Sequence, residues 1–259
     1  MRFILVTQNE PFYLPAALDA ICASRRDDIA ALIVLPAFNE KLILTARRLF
    51  AFYGPVDFLR LSARYAWAKF AGFLNRVIPL TKPFSAADVA RRHNIPVYPI
   101  ANINAKDTVS FLAQTVRPEL IVSIAASQIF RSAVLQIPAH GCINLHSAPL
   151  PRYQGMMPNF WAMVNGEKET AVTVHYMVEK IDAGDIIIQR SVPIHPTDSL
   201  HDLMVRSKQF GVQAVLDAIS QIEQGTTKTI PLDTTQSTYF SFPTRVDAQR
   251  LRAQGHRLL

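Results

Sequence analysis

Asn144, His146 and Asp182 are the side chains whose types and spacing point to chemistry. An apolar run ending in Asn144-Leu145-His146 reads as a buried strand, and its alternate residues Asn144 and His146 share one face. The next segment, Ser147 to Gly155, carries Pro149, Pro151 and Gly155, so it is expected to be a loop leaving the strand's carboxyl end. Open α/β sheets bind their ligands at that end. Asp182 follows a second strand-like run, Ala171 to Val178, in which Val172, Val174, Tyr176 and Val178 alternate with Thr173, His175 and Met177. A turn then precedes the strand beginning at Asp185. An amide, an imidazole and a carboxylate meeting at one sheet edge can face a developing oxyanion and move a proton.

Singly, each has a plainer explanation: Asn and Asp as turn formers, His as a packed polar residue. As an ordered set they say more. Asn144-x-His146, the loop Leu150-Pro151-Arg152-Tyr153-x-Gly155, the pair Asn165-Gly166 before a strand, and Asp182-x-Gly184 resemble the folate-dependent formyltransferases. That family includes methionyl-tRNA formyltransferase, glycinamide ribonucleotide transformylase and the sugar-nucleotide N-formyltransferases. The resemblance spans roughly residues 86 to 205. One departure is visible: Ala171 stands where the family's signature usually begins with Gly, which suggests a slightly different backbone turn.

The resemblance implies 10-formyltetrahydrofolate as co-substrate, no metal, and Asn144, His146 and Asp182 as the catalytic residues. A neutral amine would attack the formyl carbon while negative charge builds on the formyl oxygen. The Asn144 amide and a donating His146 suit that oxygen, and Asp182 is expected to orient His146, raise its pKa and accept or relay the proton. Which residue is the immediate base stays open. The resemblance also implies that the loop Gln128-Ile129-Phe130 and the segment Glu179 to Asp182 hold the pterin, largely through backbone groups.

Around this centre the pattern predicts an α/β fold with a Rossmann-like, mostly parallel sheet. Phe3 to Thr7, Ile29 to Leu35, Ile95 to Ile100 and Leu120 to Ala125 read as strands. Helices are expected over Pro11 to Ser24, Ser85 to His93 with a serine cap, Asp107 to Val116, and Pro158 to Asn165. There is no G-x-G-x-x-G fingerprint, and no nicotinamide cofactor is expected. Residues 41 to 82 look like an inserted helical stretch with breaks at Gly54-Pro55 and Pro79; a membrane-surface helix, a subunit contact, a flap and a packed helical pair all fit it. After the strand Ile186 to Pro193, Thr197-Asp198-Ser199 opens a long helix ended by Gly225. Thr229 to Leu232 and Ser237 to Ser241 resemble a small hairpin, and the residues from Arg245 onward a solvated helix or frayed tail. The expected division is a catalytic core over 1–205 and an extension over 206–259.

The chain has 259 residues and a formal net charge of +7. Cys22 and Cys142 sit in apolar surroundings without metal spacing and read as reduced core residues, which favours the cytoplasm. No stretch of ~20 apolar residues occurs, so no membrane span is expected. The basic balance suits a phosphate-bearing substrate, and no aromatic-basic repeat for stacking nucleic-acid bases is present. About 35 residues after Gly225 are too few for the β-barrel that helps methionyl-tRNA formyltransferases hold tRNA. The resemblance then favours a nucleotide-linked amino sugar, a 4-amino-4,6-dideoxyhexose such as GDP-perosamine, in surface-polysaccharide (O-antigen) synthesis by a homodimer without a nucleic-acid partner. Methionyl-tRNA formylation is the alternative, and a basic RNA- or membrane-surface-binding protein is the alternative outside catalysis.

Overall fold

Alternation within the first strand decides the layering. In β1 (Phe3–Gln8) Phe3 and Leu5 enter one hydrophobic cluster while Ile4 and Val6 enter another, so both sheet faces are covered. The structure is a computed structural model that describes residues 1–36, 42–78 and 82–259. After β1 come α1 (Leu14–Arg25), β2 (Ile29–Leu35), α2 (Leu42–Leu74), α3 (Ala86–Arg92), β3 (Val97–Pro99), α4 (Lys106–Phe111), β4 (Leu120–Ile124) and α5 (Ser132–Leu135). The second half holds β5 (Cys142–His146), β6 (Gln154–Gly155), α6 (Pro158–Val164), β7 (Glu169–Tyr176), β8 (Ile186–Pro193), α7 (Leu200–Glu223), β9 (Tyr239–Phe240) and α8 (Arg245–Ala253).

A seven-stranded sheet runs in the order β3-β2-β1-β4-β5-β7-β8. Strands from β3 to β5 pair parallel, and β7 and β8 add antiparallel. The mixed, mostly parallel α/β architecture is the one expected. Cys22 and Cys142 are buried free thiols. No helix among the described residues is long and apolar enough to cross a membrane.

Helix ends follow local chemistry. Ser85 accepts from the Asp88 amide at the start of α3, and Ser199 with Asp202 forms a capping box on α7. The half-buried Glu10 carboxylate accepts from the amides of Phe12, Tyr13 and Leu14 and so serves the start of α1. Inside α2, Gly54 has φ 75 and Pro55 restarts the helix, as the Gly-Pro pair predicted. The break expected at Pro79, and the first residue of the expected insertion, lie outside the described residues. The helix α7 runs without a break through 205 and 206, where the two parts of the expected division meet.

Two expectations are corrected. Thr229 to Leu232 and Ser237 to Ser241 do not form a hairpin: Ile230 bridges to Ile186, while β9 pairs parallel with β6. Asp233 caps a short 3-10 turn between them and sends each to a different edge. Of the two forms expected from Arg245 onward the helix is found, α8, opened by a Thr244–Asp247 capping box, though it is only partly solvated, with Leu251 and Leu258 buried. Ala171 imposes no altered turn; it sits in the regular β7–β8 ladder opposite Ser191, where Cβ is accommodated.

Candidate active site

Strand register brings the polar residues together. Asn144 on β5 stands opposite Ser123 on parallel β4 and opposite His175 on antiparallel β7. The Ser123 hydroxyl donates to Asn144 Oδ1 at 2.9 Å, and Asn144 Nδ2 lies 3.3 Å from His175 Nε2. His175 Nδ1 is 2.7 Å from the Tyr176 carbonyl, which only accepts, so Nδ1 carries the proton and Nε2 receives the Asn144 N–H. A primary amide has two N–H groups, and the second remains for a ligand.

Two residues along β5, His146 Nε2 is 2.8 Å from the Tyr153 carbonyl, so that nitrogen donates. Its Nδ1 faces Asp182 Oδ2 at 3.5 Å. Burial pulls the His146 pKa below its ordinary value, outweighing the upward pull of Asp182 and the Tyr153 bond. Asp182 does raise the His146 pKa, as expected, but desolvation is the larger effect, so the net shift is downward and favours the neutral ring. Nor has His146 an N–H left for an oxyanion, since its donor is spent on Tyr153. The geometry leaves a donor on Asn144 and a lone pair on His146 Nδ1.

Asp182 is held by the loop after β5. Gly155 N–H donates to Asp182 Oδ2 at 3.0 Å, and Gln154 Nε2 donates to the Asp182 carbonyl at 2.9 Å. Burial alone would raise its carboxyl; His146, His175 and the Gly155 amide together hold it below the ordinary value. His175 Nε2 lies 3.7 Å from Oδ1. Asp182 itself has φ 49, and a Cβ on Gly184 would lie 1.9 Å from the Tyr176 carbonyl oxygen. The turn after β7 thus folds back so tightly that only glycine fits at 184, which is the physical content of Asp-x-Gly.

These groups line one cleft of about 570 Å³. Ile129, Met156, Val178 and Ile181 line it with large apolar side chains left exposed, a surface suited to a flat heterocycle. The residues expected to hold the pterin divide. Ile129 lines the cleft and Phe130 is buried beneath it. The Gln128 side chain is spent on the neighbouring loop, accepting from Ile103 N–H and donating to the Ala101 carbonyl. Glu179 turns away to accept from the Ser132 amide and hydroxyl, which lower its pKa. Any contact from these two to a cleft ligand is left to backbone.

Sequence reasoning missed three groups. Ser123 is the polar residue inside the otherwise apolar β4, and His175 belongs to the polar alternate set of β7; both signals were visible, but pairing depends on register. Lys208 projects from α7 into the cleft, half-buried, with Glu10 as its nearby acid, and burial lowers its pKa.

The formyl transferase family profile matches residues 86–219 of this chain, about half its length. The chain belongs to the formyl transferase family. The chain is 36% identical over 150 residues to the methionyl-tRNA formyltransferase of Alkaliphilus oremlandii, covering 58% of this chain and 48% of that relative. The chain thus spans about half the length of this curated relative. In fold it is similar to a sugar N-formyltransferase from Shewanella, at 19% identity and TM-score 0.59 over 97% of this chain and 88% of that one. It is similar also to a Helicobacter canadensis N-formyltransferase solved with folinic acid and dTDP-3-aminofucose, at 18% identity and TM-score 0.59, covering 93% and 71%.

Proposed function

We propose that this formyl transferase moves a formyl group from 10-formyltetrahydrofolate to a primary amine. One observation carries the proposal: the Asn144 amide and the His146–Asp182 pair converge on a single cleft whose remaining wall is exposed apolar side chains. Asn144 offers its second N–H to the formyl oxygen as charge develops there. The ionised Asp182 and neutral His146 act as one acceptor for the proton released by the attacking amine, and that proton passes to the folate nitrogen as its bond to the formyl carbon breaks and tetrahydrofolate leaves. Once protonated, His146 donates from both nitrogens, and the Tyr153 carbonyl and Asp182 are both acceptors. Two apposed acceptors at Nδ1 become a donor and its partner, which offsets the cost of a buried cation. The folate, when bound, supplies the activated formyl carbon; the exposed apolar walls and the Gln128 to Phe130 backbone fit its ring.

The acceptor has two readings. The curated relatives are methionyl-tRNA formyltransferases at about 36% identity, and this favours methionyl-tRNA over our sequence-based preference. The second reading, a nucleotide-linked amino sugar, is favoured by the segment after α7. There β9 closes on β6, and Tyr239 and Phe242 line the cleft beside the catalytic groups, facing Lys208 of α7. Such a wall with one ammonium suits a small phosphate-bearing acceptor, and the fold likeness to sugar N-formyltransferases is compatible with it. The test is formyl transfer to GDP-, UDP- and dTDP-linked amino sugars and to methionyl-tRNA in one series. Turnover on tRNA alone selects the first reading, turnover on one sugar selects the second, and turnover on no amine overturns the proposal.

A further inference from the structure

Helix α2 packs Phe52, Phe58 and Leu61 on the core, but beyond the Gly54 break it also turns a row of large apolar side chains outward. Beyond the Gly54 break, the buried positions are small: Ala68 is 6% exposed and Ala71 1%. The bulky residues lie outside, with Val56 61%, Leu59 71%, Trp67 62%, Phe70 53% and Phe73 60% exposed. At about 100° per residue these five, with Ala63 and Ala66, fall in one arc. Arg60 borders that arc on one side and Lys69 on the other. Residues 42–78 contain six basic residues and one acid, Asp57. That acid is already engaged, 3.3 Å from both Arg60 and Arg252.

We infer that this face docks flat on an anionic lipid surface. A helix of this kind lies in the interface plane, apolar side chains entering the headgroup boundary while basic side chains reach the lipid phosphates. Trp67 is a residue type that settles at that depth. A second copy of the chain is the poorer occupant: symmetric pairing would bring the basic borders at Arg60 and Lys69 together with their counterparts, and the stretch has no spare acid to separate them. A bilayer supplies both the apolar layer and the negative charge. The face is tied to the cleft, because Phe52 of the same helix packs on Phe160 and Phe242 with ring centroids 5.2 and 5.6 Å away, and Phe242 lines the cleft.

The test is co-sedimentation of the full chain with vesicles of phosphatidylcholine alone and of phosphatidylcholine mixed with phosphatidylglycerol. Binding is expected on the anionic vesicles, with a blue shift in tryptophan emission that Trp67→Phe removes. Phe70→Asp should weaken binding at least about tenfold, and Lys69→Gln about fivefold. Both positions are exposed, so circular dichroism should be unchanged. Equal binding by Phe70→Asp, or no binding to anionic vesicles, overturns the inference. A dimer in sedimentation velocity that Phe70→Asp dissociates, without vesicle binding, would make the face a subunit contact instead.

Discussion

Asn144 Nδ2 lies 3.3 Å from His175 Nε2 on the neighbouring antiparallel strand, and Ser123 on the parallel neighbour fixes the other end of the same amide. The donor proposed for the formyl oxygen is thus oriented from both sides before any ligand arrives. Replacing Asn144 with Ala should cost about 2.7–4 kcal/mol of barrier, a hundred- to thousandfold in kcat. Ser123→Ala removes only the orienting bond and should cost about 0.5–1.5 kcal/mol. Steady-state kinetics on folded variants checks the order; an active Asn144→Ala enzyme removes the amide from the mechanism.

The pH profile tests the neutral His146. Burial sets its folded pKa below 6.5, so the acceptor form prevails above that value and is lost as pH falls through the folded pKa. The acid limb of kcat/KM should therefore lie below 6.5 and disappear in a His146→Asn variant with residual activity. A limb above neutrality would mean that Asp182 wins over burial.

Gly155 joins the Asp182 carboxylate to the loop. Its φ is 94, and a Cβ there would lie 2.3 Å from the Phe240 carbonyl oxygen. Gly155→Ala should lose at least about 1–2 kcal/mol of stability from the left-handed backbone alone. Displacing the amide that holds Asp182 should also lower kcat. Denaturant unfolding beside kinetics would reveal both effects, and an unchanged midpoint would contradict the geometry.

Lys208 is expected to act on acceptor binding. Lys208→Met should raise KM for a phosphate-bearing acceptor while leaving kcat within a small factor, since the lysine is proposed to meet a part of the substrate that does not react. A fall in kcat at unchanged KM would place it in the chemistry instead.

Asp198 supports the start of α7. Arg206 donates to both its carboxylate oxygens, and the His195 amide to one; the Arg206 bonds are the main reason its pKa lies below 3.8. Asp198→Asn should cost about 1.5–3 kcal/mol in urea unfolding at neutral pH. Because the folded pKa is depressed, this contribution is present above 3.8 and is lost as pH falls through the folded value. The variant and the wild type should converge in acid.

Much of the fold was legible because it rests on period. The strands over residues 3–7 and 29–35 and the serine-capped helices stood in the sequence as apolar runs and caps. Asn144 and His146 were legible as alternate residues, and Asp182 through its turn. What escaped depends on register or desolvation. That Ser123, Asn144 and His175 form one row follows from which strands adjoin, and that His146 is neutral follows from burial outweighing a carboxylate 3.5 Å away. The supposed hairpin failed for a related reason: Ile230 and Tyr239 found partners far off in sequence.

The most direct test of the account is a single-turnover comparison of wild type and Asp182→Asn, with saturating 10-formyltetrahydrofolate and the acceptor that the series identifies. We predict equal amounts of tetrahydrofolate and formylated amine from the wild type, and a rate at least about a hundredfold lower in the variant, with folate binding retained. Equal rates in the two proteins would contradict the assignment of Asp182 and His146 as the proton acceptor.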